Sequence, residues 1–194
     1  MRAVILNGQA AGDRELTQIV EALEATLRNS GWDVTHWRLV DEKLRYCMGC
    51  FECWVKTPGQ CKIDDANRDI AADMMQHDLL IFLTPVTFGG YSAQLKKAVD
   101  HLIQNISPFF RQWQGEVHHQ PRYDRYPHLR VVGMLNGPDA EAEAIFRELS
   151  ARNALNLFPP THATLVVMRG QDRRAMAQEL RALLPTAGEV VYVG

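Results

Sequence analysis

The 194-residue sequence predicts an α/β three-layer sandwich, five parallel strands in the order 2-1-3-4-5 with helices on both faces. Three observations lead there. Residues 3–6 and 79–83 are short, wholly apolar runs, as expected of strands buried on both faces of a parallel sheet. Strand segments and helix-spaced segments alternate five times along the chain. Right-handed crossovers then leave few topologies, and five strands favour the order 2-1-3-4-5.

The elements follow in chain order. Ala3 to Leu6 forms the first strand and ends in Asn7-Gly8. Leu16, Ile19, Val20, Leu23 and Leu27 then recur at helix spacing, and Ser30-Gly31 closes that helix. Residues 32–40 read as the second strand, and a cysteine-rich loop follows at 47–61. Asp64 and Asp65 are candidate caps for a helix running through Met75, since a carboxylate accepts the free N–H groups of a first turn. Residues 79–83 are the third strand, followed by an amphipathic helix carrying Leu95, Ala98, Val99, Leu102 and Ile103. Residues 107–128 read as an irregular insertion rich in aromatics and charges, a functional excursion or partner contact. Residues 129–135 are the fourth strand, with Pro138 at the first position of the next helix. The fifth strand spans 163–168, the last helix 172–184, and the tail at 189–193 reads as an edge strand.

The whole chain, 1–194, reads as one domain. A net charge of −2 gives no electrostatic case for nucleic acid or an anionic membrane. No apolar run approaches the ~20 residues of a membrane span, and the N-terminus lacks signal-peptide features. Clustered cysteines without export signals fit a reducing cytoplasm.

All four cysteines, Cys47, Cys50, Cys53 and Cys61, lie in one loop with the spacing C-x2-C-x2-C-x7-C. A compact C-x2-C-x2-C run with a more distant fourth cysteine is a ligand pattern for an iron–sulfur cluster. Zinc fits less well, because structural zinc sites usually pair two separated knuckles. Unmetallated structural thiols and a redox disulfide are the other readings. The adjacent His118 and His119 point apart on a strand or loop, and no carboxylate stands at helical spacing to complete a metal set. A solvated lid or a subunit contact fits that segment better.

In such a sheet ligands bind beyond the carboxyl ends of the strands, near the switch between strands 1 and 3. The loops there are 7–13, 84–90 and 136–138, and the cysteine loop, following strand 2, is expected at the same edge. Thr84-Pro-Val-Thr-Phe-Gly-Gly90 suits a flat aromatic ligand: Pro85 stiffens the backbone, and Gly89 and Gly90 let main chain approach a ring. Thr87 offers a hydroxyl and Phe88 an aromatic surface. A plain strand-to-helix turn explains the same composition.

Residues 84–100, TPVTFGGYSAQLKKAVD, resemble the flavin-ring loop and following helix of the NADPH-dependent FMN reductase family, which has the flavodoxin-like fold. The cysteine run with Asp64-Asp65 behind it is similar to the compact motif of that group's iron–sulfur flavoproteins. The resemblance covers most of residues 1–105. It implies FMN as cofactor, with Pro85, Val86, Thr87, Phe88, Gly89 and Gly90 under the ring and Asn136 and Gly137 beside it. NAD(P)H is the implied co-substrate, with a [4Fe-4S] cluster on the four cysteines and a flavin, quinone or other small acceptor. A homodimer or homotetramer is implied by analogy. The phosphate loop departs from the family pattern N-G-S-P-R. Here it reads Asn7-Gly-Gln-Ala-Ala-Gly-Asp-Arg-Glu-Leu-Thr17, leaving Gln9, Arg14 or Thr17 as donors beside a helix N-terminus, while Asp13 and Glu15 repel a dianion. Asp13 as a simple helix cap is the competing reading. The rival functions are a non-enzymatic flavin/iron–sulfur electron carrier and a flavin-free scaffold.

Overall fold

In the computed structural model, which describes residues 1–185, the chain runs β1 (Arg2–Asn7), α1 (Arg14–Asn29), β2 (Asp33–Arg38), α2 (Glu52–Val55), α3 (Ala66–Gln76), β3 (Leu79–Pro85) and α4 (Ala93–His101). After a 3-10 turn at Leu102–Asn105 come β4 (Ile106–Trp113), β5 (Glu116–Pro121), β6 (His128–Leu135), α5 (Ala140–Leu157), β7 (His162–Met168) and α6 (Arg173–Leu183). The five-stranded sheet has the order β2-β1-β3-β6-β7, all parallel, which is 2-1-3-4-5 counted over its own strands. This is the flavodoxin-like arrangement the sequence predicts. The tail strand expected at 189–193 lies outside the described residues.

Alternation within the central strands sorts the core into two layers. Val4, Leu6, Leu80 and Phe82 pack with α3, α4 and α5 through Ile70, Leu95 and Phe146. Ala3, Ile5, Leu79, Ile81 and Leu83 pack with α1 and α6 through Leu16, Leu23 and Leu180. All of β1 past Arg2 and all of β3 up to Pro85 are buried, which is why these two strands read as unbroken apolar runs.

Three local expectations are corrected. The segment 107–128 is not irregular: β4 and β5 form an antiparallel hairpin closed by the two residues Gln114 and Gly115. Both have positive φ, 52° and 82°, the signature of a type I′ turn. Glu116 ties this hairpin to α5 through Arg152, and His118 does so through Asn156. Pro138 stands before the cap, not at the first helical position; Asp139 caps α5 by accepting from the Ala142 N–H at 2.9 Å. Of the two candidate caps for α3, Asp65 accepts from Asn67, whereas Asp64 pairs with Arg68. The cysteine loop docks on the 3-10 turn after α4 and on the start of α3.

Candidate cofactor site

Two loops meet where the strand order reverses, and hydrogen bonds join them. The Gly8 N–H donates to Leu83 O at 2.8 Å, and the Ser92 hydroxyl donates to Gly8 O at 2.7 Å. Ser92 also caps α4, accepting from the Leu95 N–H, and its own N–H donates to the buried Thr84 hydroxyl. Glycine is required at position 8, since a Cβ there would lie 2.5 Å from Ser92 Oγ and 2.7 Å from Leu95 Cβ. Ser92 and Thr84 escaped the sequence reading, although Ser92, three residues before the first apolar position of the helix, is a recognisable cap.

The turn after β3 is held open in a strained shape. Thr87 and Gly90 exchange N–H···O bonds of 2.9 and 2.8 Å across it, and the Val86 N–H donates to Met134 O. Phe88 (φ 49°) and Gly89 (φ 73°) lie at its tip in the left-handed region, which a phenylalanine rarely occupies. The Phe88 side chain is wholly exposed. With Thr87, Gly90 and Val86 committed, the Phe88 and Gly89 N–H groups are the loop donors without a partner among the described residues. Gly89 is also pressed against α5, where an added Cβ would meet Ile145 Cγ2 at 2.6 Å. Gly90 carries no such constraint. Behind the turn, Tyr91 is buried with its hydroxyl accepting from Asn153, and burial pushes its phenol up to about 12.

The loop after β1 differs from what its sequence suggests. Gln9 is buried at 2% exposure, and its amide bridges Asn7 and the Thr17 hydroxyl, which donates in turn to Asp13 O. Gln9 and Thr17 thus satisfy each other inside the loop. Arg14 is exposed and lines a groove with Arg173 and Met176 between α1 and α6. Asp13 does cap α1, accepting from the Leu16 N–H at 3.2 Å. It also faces Arg169, the first residue after β7, whose guanidinium reaches Asp13 at 3.0 Å, Glu15 at 3.1 Å and Asn136 Oδ1 at 3.1 Å. Burial works to raise the Asp13 carboxyl, but the bonds from Arg169 and Leu16 outweigh it and hold the group below the usual carboxylate range. The repulsion expected from Asp13 and Glu15 is therefore reduced by a cation 156 residues away from Asp13 in sequence, which offsets one of their two charges. Asn136 is exposed, and Gly137 has open space where a Cβ would stand.

The four cysteines form a separate pocket. Cys47, Cys50, Cys53 and Cys61 line it with Met48, Phe51, Ile63, His101 and Ile103, and almost nothing polar faces inward. The loop is fastened to the C-terminal end of α4: the Trp54 indole N–H is shared between Ile103 O and Ile106 O, and the Cys61 N–H donates to Gln104 Oε1 at 2.9 Å. Since the ring loop abuts the other end of α4, nine residues or about 13 Å of helix separate the two places. Cys53 is buried and Cys50 exposed. Burial, then the neighbouring thiols of Cys61, Cys47 and Cys50, push the Cys53 thiol up to about 11. Among the described residues, no three His, Cys, Asp or Glu side chains are grouped to hold a metal ion. His118 bonds Glu116 and Asn156, while His119 packs between Trp54 and Phe110 at 4.8 and 4.6 Å. No helix among the described residues is long and apolar enough to cross a membrane.

A doubly wound sheet whose loops meet outside the carboxyl ends of its strands, at the point of reversed order, defines a flavodoxin-like protein. Residues 1–118, more than half of the chain, match the family model for NADPH-dependent FMN reductase. The chain belongs to that family. An iron-sulfur flavoprotein of Methanocaldococcus jannaschii is 36% identical over 101 residues, 52% of this chain and 51% of that protein. An iron-sulfur flavoprotein of Archaeoglobus fulgidus is 27% identical over 103 residues, 53% of this chain and 46% of that one. The chain thus spans about half the length of the curated relatives it matches. Among solved structures, an NAD(P)H:quinone oxidoreductase from Methanothermobacter marburgensis superposes with a TM-score of 0.67 at 13% identity, covering 94% of this chain and 96% of that one. An azoreductase from Bacillus anthracis gives 0.61 at 14% identity, covering 93% and 92%. At those identities the likeness is one of fold.

Proposed function

We propose that the protein is an FMN-dependent NAD(P)H oxidoreductase that passes electrons from a reduced nicotinamide to a small acceptor such as a quinone or free flavin. The carrying observation is the joined pair of loops at the switch point, in a chain of the FMN reductase family. On this reading the free N–H groups of Phe88 and Gly89 bond the polar edge of the flavin ring, with Pro85, Val86, Thr87 and Gly90 shaping the seat. Asn136 and Gly137 border the seat from the loop after β6. The phosphate lies over residues 10–12 before α1, with Arg169 offsetting one of the two negative charges of Asp13 and Glu15. Bound FMN supplies the hydride chemistry at its own ring. The chain's residues position and shield it, and none is assigned as an acid or base.

On the same reading, Cys47, Cys50, Cys53 and Cys61 would carry a [4Fe-4S] cluster. The support is the donor set alone: four soft thiols line one nearly apolar enclosure. The cluster would add one-electron storage. A reducing cytoplasm keeps such thiols available. The exposed Phe88 beside the ring seat fits a homodimer or homotetramer whose second subunit covers it.

The test is an absorption spectrum of anaerobically purified protein, with FMN, iron and sulfide assayed on the same sample, followed by anaerobic NADH and NADPH. Bound flavin reduced by either nicotinamide supports the enzyme. Flavin that neither reduces makes the protein an electron carrier. A protein that takes up no FMN overturns the reading.

A further inference from the structure

We infer that His36 is a positioning residue for the loop after β1, fixing its shape as the neutral imidazole and loosening it on protonation. The consequence for flavin rests on the reading above. The loop opens on Asn7, which is 1% exposed. The Gln9 backbone N–H donates to Asn7 Oδ1 at 3.0 Å, and a backbone N–H can only donate. That fixes which end of the Asn7 amide is which. Its Nδ2 then donates one hydrogen to Gln9 Oε1 at 3.0 Å and the other to His36 Nε2 at 3.2 Å. His36 Nε2 is therefore an acceptor, and the ring proton sits on Nδ1, 2.7 Å from Glu24 Oε1. From Glu24 on α1, through His36 on β2, to Asn7 and Gln9, each group has one role open to it.

A second proton on the ring goes to Nε2, which then points an N–H at the N–H of Asn7. Glu24 holds the ring in place, since a carboxylate bonds imidazolium more strongly than neutral imidazole. The other charges about the ring are Arg28, which pairs with Glu24 at 3.7 Å, and Arg38, two residues along β2 and paired with Asp41. From β1 the ring meets the neutral Asn7. Asn7 is thus the member that gives way. Turning its amide over sets NH2 against the Gln9 N–H, and swinging it out leaves the N–H of buried Gln9 unpaired. Either movement loosens Gln9, which also holds the Thr17 hydroxyl near the start of α1 at 3.2 Å. Histidine ordinarily changes charge between about pH 5 and 8, so the loop is held at the upper end of that range and loosened at the lower.

The experiment follows the full chain, flavin-free and 15N-labelled, by NMR from about pH 8 to about pH 5. Wild type is expected to show His36 protonated on Nδ1 alone at the upper end. As that ring titrates, the protection factor of the Gln9 amide should fall about tenfold, the equivalent of one hydrogen bond. His36→Gln accepts from Asn7 through Oε1 and donates to Glu24 through Nε2 without titrating; it should keep the high-pH pattern throughout. FMN titrations of both proteins share the ligand's own phosphate titration, so the wild-type Kd should rise about tenfold more than that of H36Q on acidification. A ring protonated on Nε2 at high pH, or a Gln9 amide that responds alike in wild type and H36Q, overturns the inference. If H36Q does not fold, the wild-type tautomer and the Gln9 titration decide alone. A Gln9 amide that follows His36 in a protein taking up no FMN upholds the inference for the loop and overturns the flavin reading.

Discussion

Replacing Gly89 by alanine tests the ring seat most directly. At φ 73° the residue occupies the left-handed region, where an L side chain costs about 1–2 kcal/mol. The new Cβ would also stand 2.6 Å from Ile145 Cγ2 and 2.8 Å from its Cβ. Ile145 is half-exposed and can swing outward, so that overlap costs toward the low end of overpacking, about 1 kcal/mol. The strain of about 2–3 kcal/mol falls on a turn whose two free N–H groups are assigned to the flavin, so FMN affinity should drop roughly 30- to 150-fold if the bound state needs this shape. Titration of apo-protein with FMN, followed by flavin fluorescence, reads the change. The double variant G89A/I145A should recover only the overlap part. Gly90→Ala is the control: its Cβ would meet Thr87 O at an ordinary 3.5 Å, so affinity should stay close to wild type. Unchanged FMN affinity in G89A would refute the placement of the ring on this turn.

Three further outcomes are expected. Arg169→Ala leaves Asp13 and Glu15 unanswered beside the phosphate seat; FMN Kd should rise about tenfold or more at low salt and less at high salt, read by the same titration. Glu116, half-exposed, is held down to about 2 by the hydrogen bonds from Arg152 and then His118. A depressed carboxyl contributes stability above its unfolded value, 4.5, and loses it as pH falls toward 2; the Tm advantage of wild type over E116Q should therefore be present at pH 6 and vanish near pH 2. In the metal-free protein under reducing conditions, an alkylating reagent should modify exposed Cys50 well before buried Cys53, and mass spectrometry after timed quenching orders the sites.

The sheet was readable from sequence because β1 and β3 are buried on both faces and so spell themselves in unbroken apolar residues. The turn after β3 was readable as a turn too, since its glycines and proline are local demands of the backbone. What escaped depends on distant partners. The hairpin was hidden because its type I′ turn is Gln114-Gly115 and not the usual Asn-Gly, and because Pro108 sits inside β4. The start of the cysteine loop follows from β2, but its docking on α4 hangs on Gln104 and the Trp54 indole, whose partners no local pattern announces. Gln9 and Thr17 look like phosphate donors by residue type, yet they spend their groups on one another. Nothing in the sequence around Arg169 marks it as the counter-charge of a loop at the opposite end of the chain.

That counter-charge bears on when the protein becomes competent during synthesis. A chain of 121 residues ends with β5, before β6 and β7. A nascent chain of that length would present the ring turn, the cysteines and the loop after β1, but β3 would be an unpaired edge, lacking β6. Asp13 and Glu15 would still face solvent without their guanidinium. The sheet neighbour of β3 and the counter-charge of the loop after β1 therefore both come from the last third of the chain.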